Sequence, residues 1–288
     1  MGAGNQILQC GQSKMAVTSA AAARQSNAVL DSVIYGDCFK IMPKLAAGSI
    51  DLIVTDPPYA VSDTKTRYTI CDGTTGQRRT RSGNFGPWDL FASPLEFRRW
   101  LLSAVNEMLR VLKPGGVLAL FCQDRLLSHL TDHLEAGGHR LINTFVFRKK
   151  NPFPLLRKVG WQHALEFGVI AAKQGARHTF NSGLGYQSNC LTAAVHYGKE
   201  RLFGAHPSQK PEVIIEPLLN YFSRPGDLVL DPFAGSGTTA VVAKRLGRHF
   251  VGIEQNNAFV RLANDRLKAL TAEMAQVACP RLVRPPAR

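Results

Sequence analysis

Short apolar runs recur along this chain, and amphipathic stretches separate them. Runs of this length between turn residues indicate buried strands. Seven segments are predicted as strands: Ser32–Tyr35, Asp51–Thr55, Val117–Phe121, Ile142–Phe147, Phe167–Ala171, Leu228–Leu230 and Phe250–Ile253. Because strands that alternate with helices form parallel sheets covered on both faces, the pattern predicts a doubly wound, mainly parallel α/β fold.

The amphipathic stretches predict four helices. In the clearest, Pro94 to Leu112, apolar residues recur at helical spacing, and Ser93, Pro94 and Glu96 supply an N-cap, a proline at the first position and a capping box. The other three cover about Arg125–Leu134, Thr239–Leu246 and Ala258–Ala272.

Two stretches lack this periodicity. Residues 60–90 form a polar, glycine-rich segment, predicted to be a loop, with arginines at Arg67, Arg78, Arg79 and Arg81. Residues 148–205 are also irregular, and from Arg140 to Lys210 eleven Lys or Arg stand against two acids. A structureless segment this long is usually functional or disordered.

The charge of the chain narrows the choice of partner. Its 288 residues carry 35 Lys and Arg against 21 Asp and Glu, a formal net charge of +14. Such a surplus suits a polyanion, either a nucleic acid or an anionic membrane surface. The apolar share of 45% is that of an ordinary globular protein, and no run of about 18 apolar residues could span a membrane.

The cysteines and the two ends of the chain add little chemistry. The six cysteines are scattered without C-x-x-C spacing, which predicts reduced thiols of a cytosolic protein and no metal site. Residues 1–28 are predicted to be a disordered arm, within which Met15 is an alternative start, and residues 276–288 a basic tail. The folded domain is expected over residues 29–275.

A glycine loop follows one of the predicted strands. Leu228–Leu230 leads into Asp231-Pro-Phe-Ala-Gly-Ser-Gly-Thr-Thr239 and then a helix, the layout of a nucleotide-type site. Glu254, 17 residues beyond Gly237, could accept the hydroxyls of a ribose. The glycines alone leave open a nicotinamide enzyme, an S-adenosylmethionine enzyme or a plain turn. Asp231 favours S-adenosylmethionine, because an acid there would face the methionine ammonium but repel a pyrophosphate.

A second motif lies at the end of the Asp51–Thr55 strand, where the chain reads Asp56-Pro57-Pro58-Tyr59. The prolines fix an extended path and would hold the Asp56 carboxylate and the Pro57 carbonyl at the lip of the sheet. Two acceptors there could take both hydrogens of an amino group, and Tyr59 offers a face for stacking a planar base. The alternative is a stiff turn with a packed tyrosine.

These motifs together resemble the DNA amino-methyltransferases of the beta class. In that class an Asp-Pro-Pro-Tyr segment comes first and a Phe-x-Gly-x-Gly segment last, and this chain has both in that order. His206-Pro-Ser-Gln-Lys-Pro211 resembles the family's His-Pro-Thr-Gln-Lys-Pro, with Ser208 in place of Thr. The resemblance covers about Val29 to Leu270. It implies a circularly permuted, seven-stranded, Rossmann-like methyltransferase sheet, with a small target-recognition insertion at residues 148–205.

The resemblance also implies roles for individual residues. Asp56, Pro57, Pro58 and Tyr59 would form the catalytic site. Asp37 and Cys38 would contact the adenine of S-adenosylmethionine, and Glu254 its ribose. The methionine end would meet the remaining cofactor-binding residues, which are Ser208, Lys210, Asp231, Phe233, Gly235, Gly237, Thr238 and Thr239.

By the same resemblance the substrate is double-stranded DNA, with the target base flipped out of the helix. In this family, Asp at the first position of the tetrapeptide is the usual form in enzymes that methylate adenine N6. The alternatives are methylation of cytosine N4, a catalytically silent DNA-binding regulator, and methylation of RNA or protein amides. Asn181, Gln187 and Asn189 could read bases or be turn residues. A homodimer in the cytoplasm, associated with the nucleoid, is expected. The basic residues expected to contact DNA are Arg67, Arg78, Arg79, Arg81, Arg148, Lys149, Lys150, Arg157 and Lys158.

Overall fold

The structure, a computed structural model, is built on one large sheet with helices on both faces. It describes residues 30–62, 67–71, 78–82, 89–152, 161–195, 200, 202–204 and 206–278. The predicted N-terminal arm, Arg157 and Lys158 lie outside these residues, as does the predicted basic tail beyond Ala278. No helix in the described part is both long and apolar enough to cross a membrane.

The main sheet has eight strands in the order β1-β10-β9-β2-β5-β7-β6-β8. Its first five strands run parallel, β7 is antiparallel to both β5 and β6, and β8 runs parallel to β6. The strands are β1 (Ser32–Tyr35), β2 (Ile50–Thr55), β5 (Leu112–Cys122), β6 (Arg140–Lys149), β7 (Leu165–Ala172), β8 (Cys190–Ala193), β9 (Leu228–Asp231) and β10 (His249–Glu254).

The helices lie on the two faces of this sheet. Side chains of α1 (Cys38–Ile41), α2 (Pro94–Val111) and α3 (Leu127–Ala136) share one core cluster. Those of α4 (Glu212–Phe222), α5 (Thr238–Arg245) and α6 (Asn257–Ala278) share the other. The doubly wound, mainly parallel α/β architecture predicted from the sequence is therefore confirmed.

The start of α2 shows how local sequence sets an element. Ser93 has extended backbone angles, and its hydroxyl accepts a hydrogen bond from the Glu96 backbone N–H at 3.1 Å. The predicted N-cap is therefore confirmed. The Glu96 carboxylate accepts from the backbone N–H of Ala92 at 2.7 Å, one residue before the position that a capping box uses.

Several elements differ from the prediction. The sheet has eight strands where seven were expected, because Cys190–Ala193 pairs with β6 at the edge. Helix α4 was not predicted, since Pro217 interrupts a segment that is apolar on most sides. Helix α6 continues to Ala278, beyond the expected domain end at residue 275.

The segments expected to be irregular also contain regular structure. Within residues 60–90, β3 (Arg67–Cys71) and β4 (Arg78–Ser82) form a two-stranded antiparallel ribbon, so the predicted loop is wrong for these residues. Within residues 148–205, β7 confirms the strand predicted at Phe167–Ala171, whereas β8 was not predicted; both belong to the main sheet. The part available for a separate insertion is thus smaller, by β8, than the sequence suggested.

The centre of the sheet positions the site. Strands β2 and β9 are parallel neighbours, with Leu52 opposite Val229 and Ile53 opposite Leu230. Their carboxyl ends therefore meet at one edge, although 176 residues separate Thr55 from Asp231 along the chain. In open α/β sheets, ligands bind outside the carboxyl ends of the strands.

Candidate active site

Two Asp-Pro segments stand side by side at this edge. Asp56 follows β2 directly, and Asp231 is the last residue of β9. Thr55 joins them, because its hydroxyl donates to Asp231 Oδ1 at 2.6 Å. The structure therefore brings the predicted catalytic tetrapeptide and the predicted glycine loop into one site.

The glycine loop makes a tight turn between β9 and α5. Gly235 and Gly237 have φ of +51° and +74°, a region that side chains with a Cβ disfavour. A Cβ on Gly237 would lie 2.7 Å from the Cβ of Ala263 on α6. Glycine is thus required there both by conformation and by the close approach of the C-terminal helix.

Helix α6 also stabilises the glycine loop through hydrogen bonds from Arg266. Arg266 Nη1 donates to the Ser236 carbonyl at 2.8 Å and to the Thr238 hydroxyl at 3.1 Å, while Nη2 donates to Glu212 at 2.8 Å. The Thr239 hydroxyl donates to the Val54 carbonyl at 3.4 Å. The two threonines predicted to bind the cofactor thus use their hydroxyls to fix the loop to the protein.

Acidic residues line the neighbouring strand ends. Glu254 ends β10, and its two carboxylate oxygens accept from the backbone N–H groups of Gly235 at 2.9 Å and Asn256 at 2.7 Å. Burial raises the pKa of Glu254. Across the parallel pair of β1 and β10, Asp37 caps α1 by accepting from Phe39 N at 2.9 Å, with Cys38 buried beside it. The residues expected at the adenosine end therefore share one edge.

Asp231 is a buried carboxylate with neutral partners. It is 6% exposed, and it accepts from the Thr55 hydroxyl and from the Phe233 N–H at 3.1 Å. Among the described residues no Lys or Arg pairs with it. Burial raises the pKa of Asp231 to about 6, although these hydrogen bonds oppose the rise. Phe233 packs against Trp100, with ring centroids 5.5 Å apart.

Asp56 has the opposite kind of environment. Lys210 Nζ bonds Asp56 Oδ2 and lies 2.9 Å from Glu166 Oε2, and Lys149 Nζ lies 2.7 Å from Glu166 Oε1. These four side chains, which we call the ion-pair chain, alternate in sign from Asp56 to Lys149. They come from the residue after β2, the His206–Pro211 segment, β7 and β6.

The ion-pair chain stabilises the charged forms of Glu166 and Lys210. Burial would raise the pKa of Glu166, but Lys210 and Lys149 outweigh it and hold this pKa at about 2. Burial would lower the pKa of Lys210, but Asp56 and Glu166 raise it to about 12. Burial raises the pKa of Asp56, and the charge of Lys210 opposes that rise. Lys210 therefore stays protonated, and its charge holds the Asp56 carboxylate in place.

Two polar atoms of the tetrapeptide are buried without a close hydrogen bond to the rest of the described protein. In the described residues, Asp56 Oδ1 and the Tyr59 hydroxyl have no partner within the usual hydrogen-bond distance, although the two side chains lie near enough to affect each other's pKa. Burial, followed by the charge of Asp56, raises the pKa of Tyr59, so the phenol stays neutral. Lys210 Nζ lies 5.5 Å from the centroid of the Tyr59 ring. Buried polar groups without partners are uncommon and indicate a missing ligand or solvent.

The His206–Pro211 segment contacts both the glycine loop and Asp56 of the tetrapeptide. His206 lies against the glycine loop, since a Cβ on Gly235 would be 3.1 Å from His206 Nε2. Ser208 closes this turn through its N–H, which donates to His206 Nδ1 at 3.3 Å. Lys210, expected near the cofactor carboxylate, instead contacts Asp56 and Glu166.

The residues expected to contact DNA are only partly brought together. At the end of β6 the side chains alternate, so Arg148 and Lys150, the residue after the strand, are exposed while Lys149 turns inward to Glu166. In the ribbon, Arg79 pairs with Ile70 and Arg81 with Tyr68. Asn181 is a turn residue, because its amide donates to the carbonyls of Asn220 and Ser223, whereas the other two candidate readers, Gln187 and Asn189, are exposed.

Sequence reasoning missed Glu166 and Thr55 as site residues. Glu166 carries a signal that could have identified it, since it is the charged residue within the apolar run of β7. Thr55 gives no such signal, because a threonine at the end of a buried strand is common. Only the pairing of β2 with β9 shows that its hydroxyl reaches Asp231.

Comparisons with known proteins identify the family of this chain. The chain matches the N6_N4_Mtase family model, described as DNA methylase, over residues 50–265. It is 33% identical to the Type II methyltransferase M2.DpnII of Streptococcus pneumoniae, over 82% of this chain and 89% of that protein. It is also 33% identical to M2.LlaDCHI of Lactococcus lactis subsp. cremoris, over 84% and 90% of the two chains.

Solved structures show the same fold. M1.HpyAVI in complex with SAM matches with a TM-score of 0.62 and 26% identity, over 82% of this chain and 98% of that one. The cytosine-N4-specific PvuII DNA methyltransferase matches with a TM-score of 0.65 and 20% identity, over 85% and 92%. The fold is therefore that of the DNA methyltransferases. With the family match over most of its length, this chain belongs to the DNA methylase family.

Proposed function

We propose that this protein transfers a methyl group from S-adenosylmethionine to the N6 amino group of adenine in double-stranded DNA. The observation that carries the proposal is the buried Asp56 Oδ1, at the strand end beside the glycine loop, which has no partner within the usual hydrogen-bond distance among the described residues. The proposal includes the finer assignment to the circularly permuted beta class. The order of Asp56–Tyr59, His206–Pro211 and Asp231–Thr239 along the chain supports it.

The residues present fit S-adenosylmethionine. The cofactor carries an ammonium, and Asp231 is a buried carboxylate without a cationic partner in the described structure. Gly235 has no side chain, which leaves space beside the glycine loop; a Cβ at this position would come close to His206. Glu254 keeps lone pairs for a ribose, and Phe233 with Trp100 supplies an aromatic wall. When bound, the cofactor supplies an electrophilic methyl group.

Asp56, Pro57 and Tyr59 would act on the base. The lone pair of an adenine amino group is delocalised into the ring, so it needs orientation and stabilisation of the charge that develops on nitrogen. Asp56 Oδ1 and the Pro57 carbonyl would accept the two amino hydrogens, while Pro58 keeps this turn rigid. Stacking on Tyr59, worth about 1–3 kcal/mol, would offset part of the few kcal/mol needed to flip the base out.

Lys210 would serve this step by holding Asp56. Because Lys210 occupies Oδ2, only Oδ1 is left for the substrate, and the carboxylate cannot rotate freely. Glu166 and Lys149 in turn fix Lys210 from the other side. A network of preorganised charges of this kind stabilises a transition state without rearranging during the reaction. We therefore assign Lys210 to the catalytic part of the site, around Asp56–Tyr59. Ser208 keeps its proposed place beside the glycine loop, where the cofactor would bind.

The basic residues would supply the DNA contacts. The basic side chains at the end of β6, Arg148 and Lys150, and the arginines of the β3–β4 ribbon suit contacts to phosphate groups. Such contacts fix the register of a protein on the duplex. The proposed partner set is double-stranded DNA and a second copy of the chain as a homodimer. The proposed location is the cytoplasm, at the nucleoid.

The test is transfer of a labelled methyl group from S-adenosylmethionine to bulk DNA, followed by sequencing of the modified bases. We expect N6-methyladenine at one recurring sequence. N4-methylcytosine would replace the adenine assignment with the cytosine one. Absence of transfer with retained DNA binding would replace the enzyme with a silent regulator and refute the proposal.

A further inference from the structure

A carboxylate that belongs to none of the three sequence motifs accepts hydrogen bonds from the backbone at the end of the tetrapeptide and just beyond it. Asp89 is 1% exposed. Its Oδ1 accepts from the N–H groups of Tyr59 at 2.8 Å and Ala60 at 2.7 Å. Its Oδ2 accepts from those of Val61 at 3.0 Å and Ser62 at 2.7 Å. One side chain thus takes four consecutive backbone donors.

The backbone here has the shape that such binding requires. Ala60 has φ of +52°, an unusual value for a residue with a Cβ. A left-handed residue within a turn directs successive N–H groups into one concavity, which binds an anion. Asp89 is that anion, and hydrogen bonds from N–H groups to a carboxylate are stronger than those between neutral groups. The positive φ of Ala60 is held by the four contacts.

The prolines make this contact the first anchor after Asp56. Pro57 and Pro58 have no N–H, so Tyr59 carries the first backbone donor beyond the catalytic carboxylate. On the other side, the β2 ladder ends with Thr55 opposite Leu120 on β5. The tetrapeptide is therefore a stiff span held at one end by the sheet and at the other by Asp89.

We propose that Asp89 is a positioning residue for methyl transfer, which sets the place of the Tyr59 ring and of Asp56 through the N–H groups of residues 59–62. The inference rests on the proposed function. Asp89 touches neither base nor cofactor in this scheme, so its loss should act on the chemical step and leave cofactor binding unchanged.

The test compares Asp89→Asn with wild type in steady-state methylation. The amide would direct an NH₂ group at two of the four donors, so we expect kcat to fall about 10- to 100-fold. The dissociation constant of S-adenosylmethionine should stay within about twofold. Asp227→Asn is the matched control, because Asp227 also accepts a backbone N–H, that of Arg224 at 2.8 Å, on an exposed turn before β9. It should leave kcat unchanged.

A double-mutant cycle with Tyr59→Ala separates positioning from general stability. If Asp89 acts through Tyr59, the second substitution should add little to the first, whereas independent effects multiply. Asp89→Ala, which leaves space for water, is measured in parallel in case the Asn variant does not fold.

Three outcomes would overturn the inference: an unchanged kcat, multiplicative effects in the cycle, or loss of cooperative unfolding in both Asp89 variants. A wild-type protein that methylates no DNA would instead refute the proposed function.

Discussion

Two aspartates at the ends of adjacent strands are surrounded by different chemistry. Asp56 and Asp231 each precede a proline at the carboxyl end of a central parallel strand. Asp56 is paired with the buried Lys210. Asp231 has a hydroxyl and a backbone N–H as partners. The fold therefore places two aspartates at neighbouring strand ends, and the side chains around each decide what it can do.

This difference indicates which of the two aspartates is expected to bind a cationic ligand. A carboxylate already paired with lysine gains little from a second cation, but it can direct its free oxygen at a neutral amino group. A carboxylate buried without a cation favours a ligand that brings one. We therefore expect Asp56 to act on the rate of transfer and Asp231 on cofactor affinity, and four experiments examine that division.

The largest effect is expected at Asp56. Asp56→Ala removes the acceptor for the amino group, so kcat should fall about 10³-fold, as for the loss of a central electrostatic contact. Lys210 retains Glu166, which keeps its charge paired. Binding of S-adenosylmethionine, measured by calorimetry, and of DNA should stay within a few-fold of wild type. Near-normal turnover would show that the catalytic assignment is wrong.

Lys210 should give the next largest effect. Lys210→Gln frees Asp56 Oδ2 and leaves two buried carboxylates without their shared cation, so we expect kcat to fall about 100-fold and the melting temperature to drop. Lys268→Gln is the control, because Lys268 is exposed and pairs with Asp265 on the surface of α6. A variant whose cofactor affinity falls while kcat holds would return Lys210 to the cofactor half of the site.

Asp231 should show the reverse pattern. Asp231→Asn keeps an oxygen for Thr55 and Phe233 but loses the charge, so the dissociation constant of S-adenosylmethionine should rise about 10- to 100-fold. The cofactor-free protein should become more stable. Folding raises the pKa of Asp231 from 3.8 to about 6, which costs up to about 3 kcal/mol once the pH is above both values. Denaturant unfolding at pH 7 measures that gain, and equal stability would contradict it.

The smallest effect is a pH dependence of cofactor affinity. Because the pKa of Asp231 is raised to about 6, the carboxyl takes up a proton as the pH falls through that value. Affinity for the cationic cofactor should then weaken by at most tenfold per pH unit below about pH 6. The Asp231→Asn variant should lack this dependence between pH 5 and 7. Identical pH profiles for the two proteins would assign the titration to another group.

The elements around both aspartates were predictable, since β2 and β9 are apolar runs that end in proline-containing motifs. What could not be predicted depends on long-range pairing. Glu166 and Lys210 are 44 residues apart, and no local pattern relates them. Lys149 was predicted to contact DNA with its neighbours Arg148 and Lys150, because the sequence does not show that it lies on the same face of the sheet as Glu166 of the adjacent strand β7.

The missed elements have local reasons. Strand β8 has four residues and follows an exposed polar segment, so its pattern is too short to separate from a turn. Pro217 within α4 is a helix breaker by sequence, yet the helix continues because its apolar side chains pack in the core between the sheet, α5 and α6. In both cases tertiary contacts overrode weak local signals.

The strand order also has a consequence for synthesis of the protein on the ribosome. Strand β1 pairs with β10, and β2 lies between β9 and β5, so two early strands take their partners from the last quarter of the chain. Until β9 and β10 emerge, one edge of β2 is open, and an unpaired apolar strand can bind other chains. The main sheet can therefore be completed only after β9 and β10 have been synthesised.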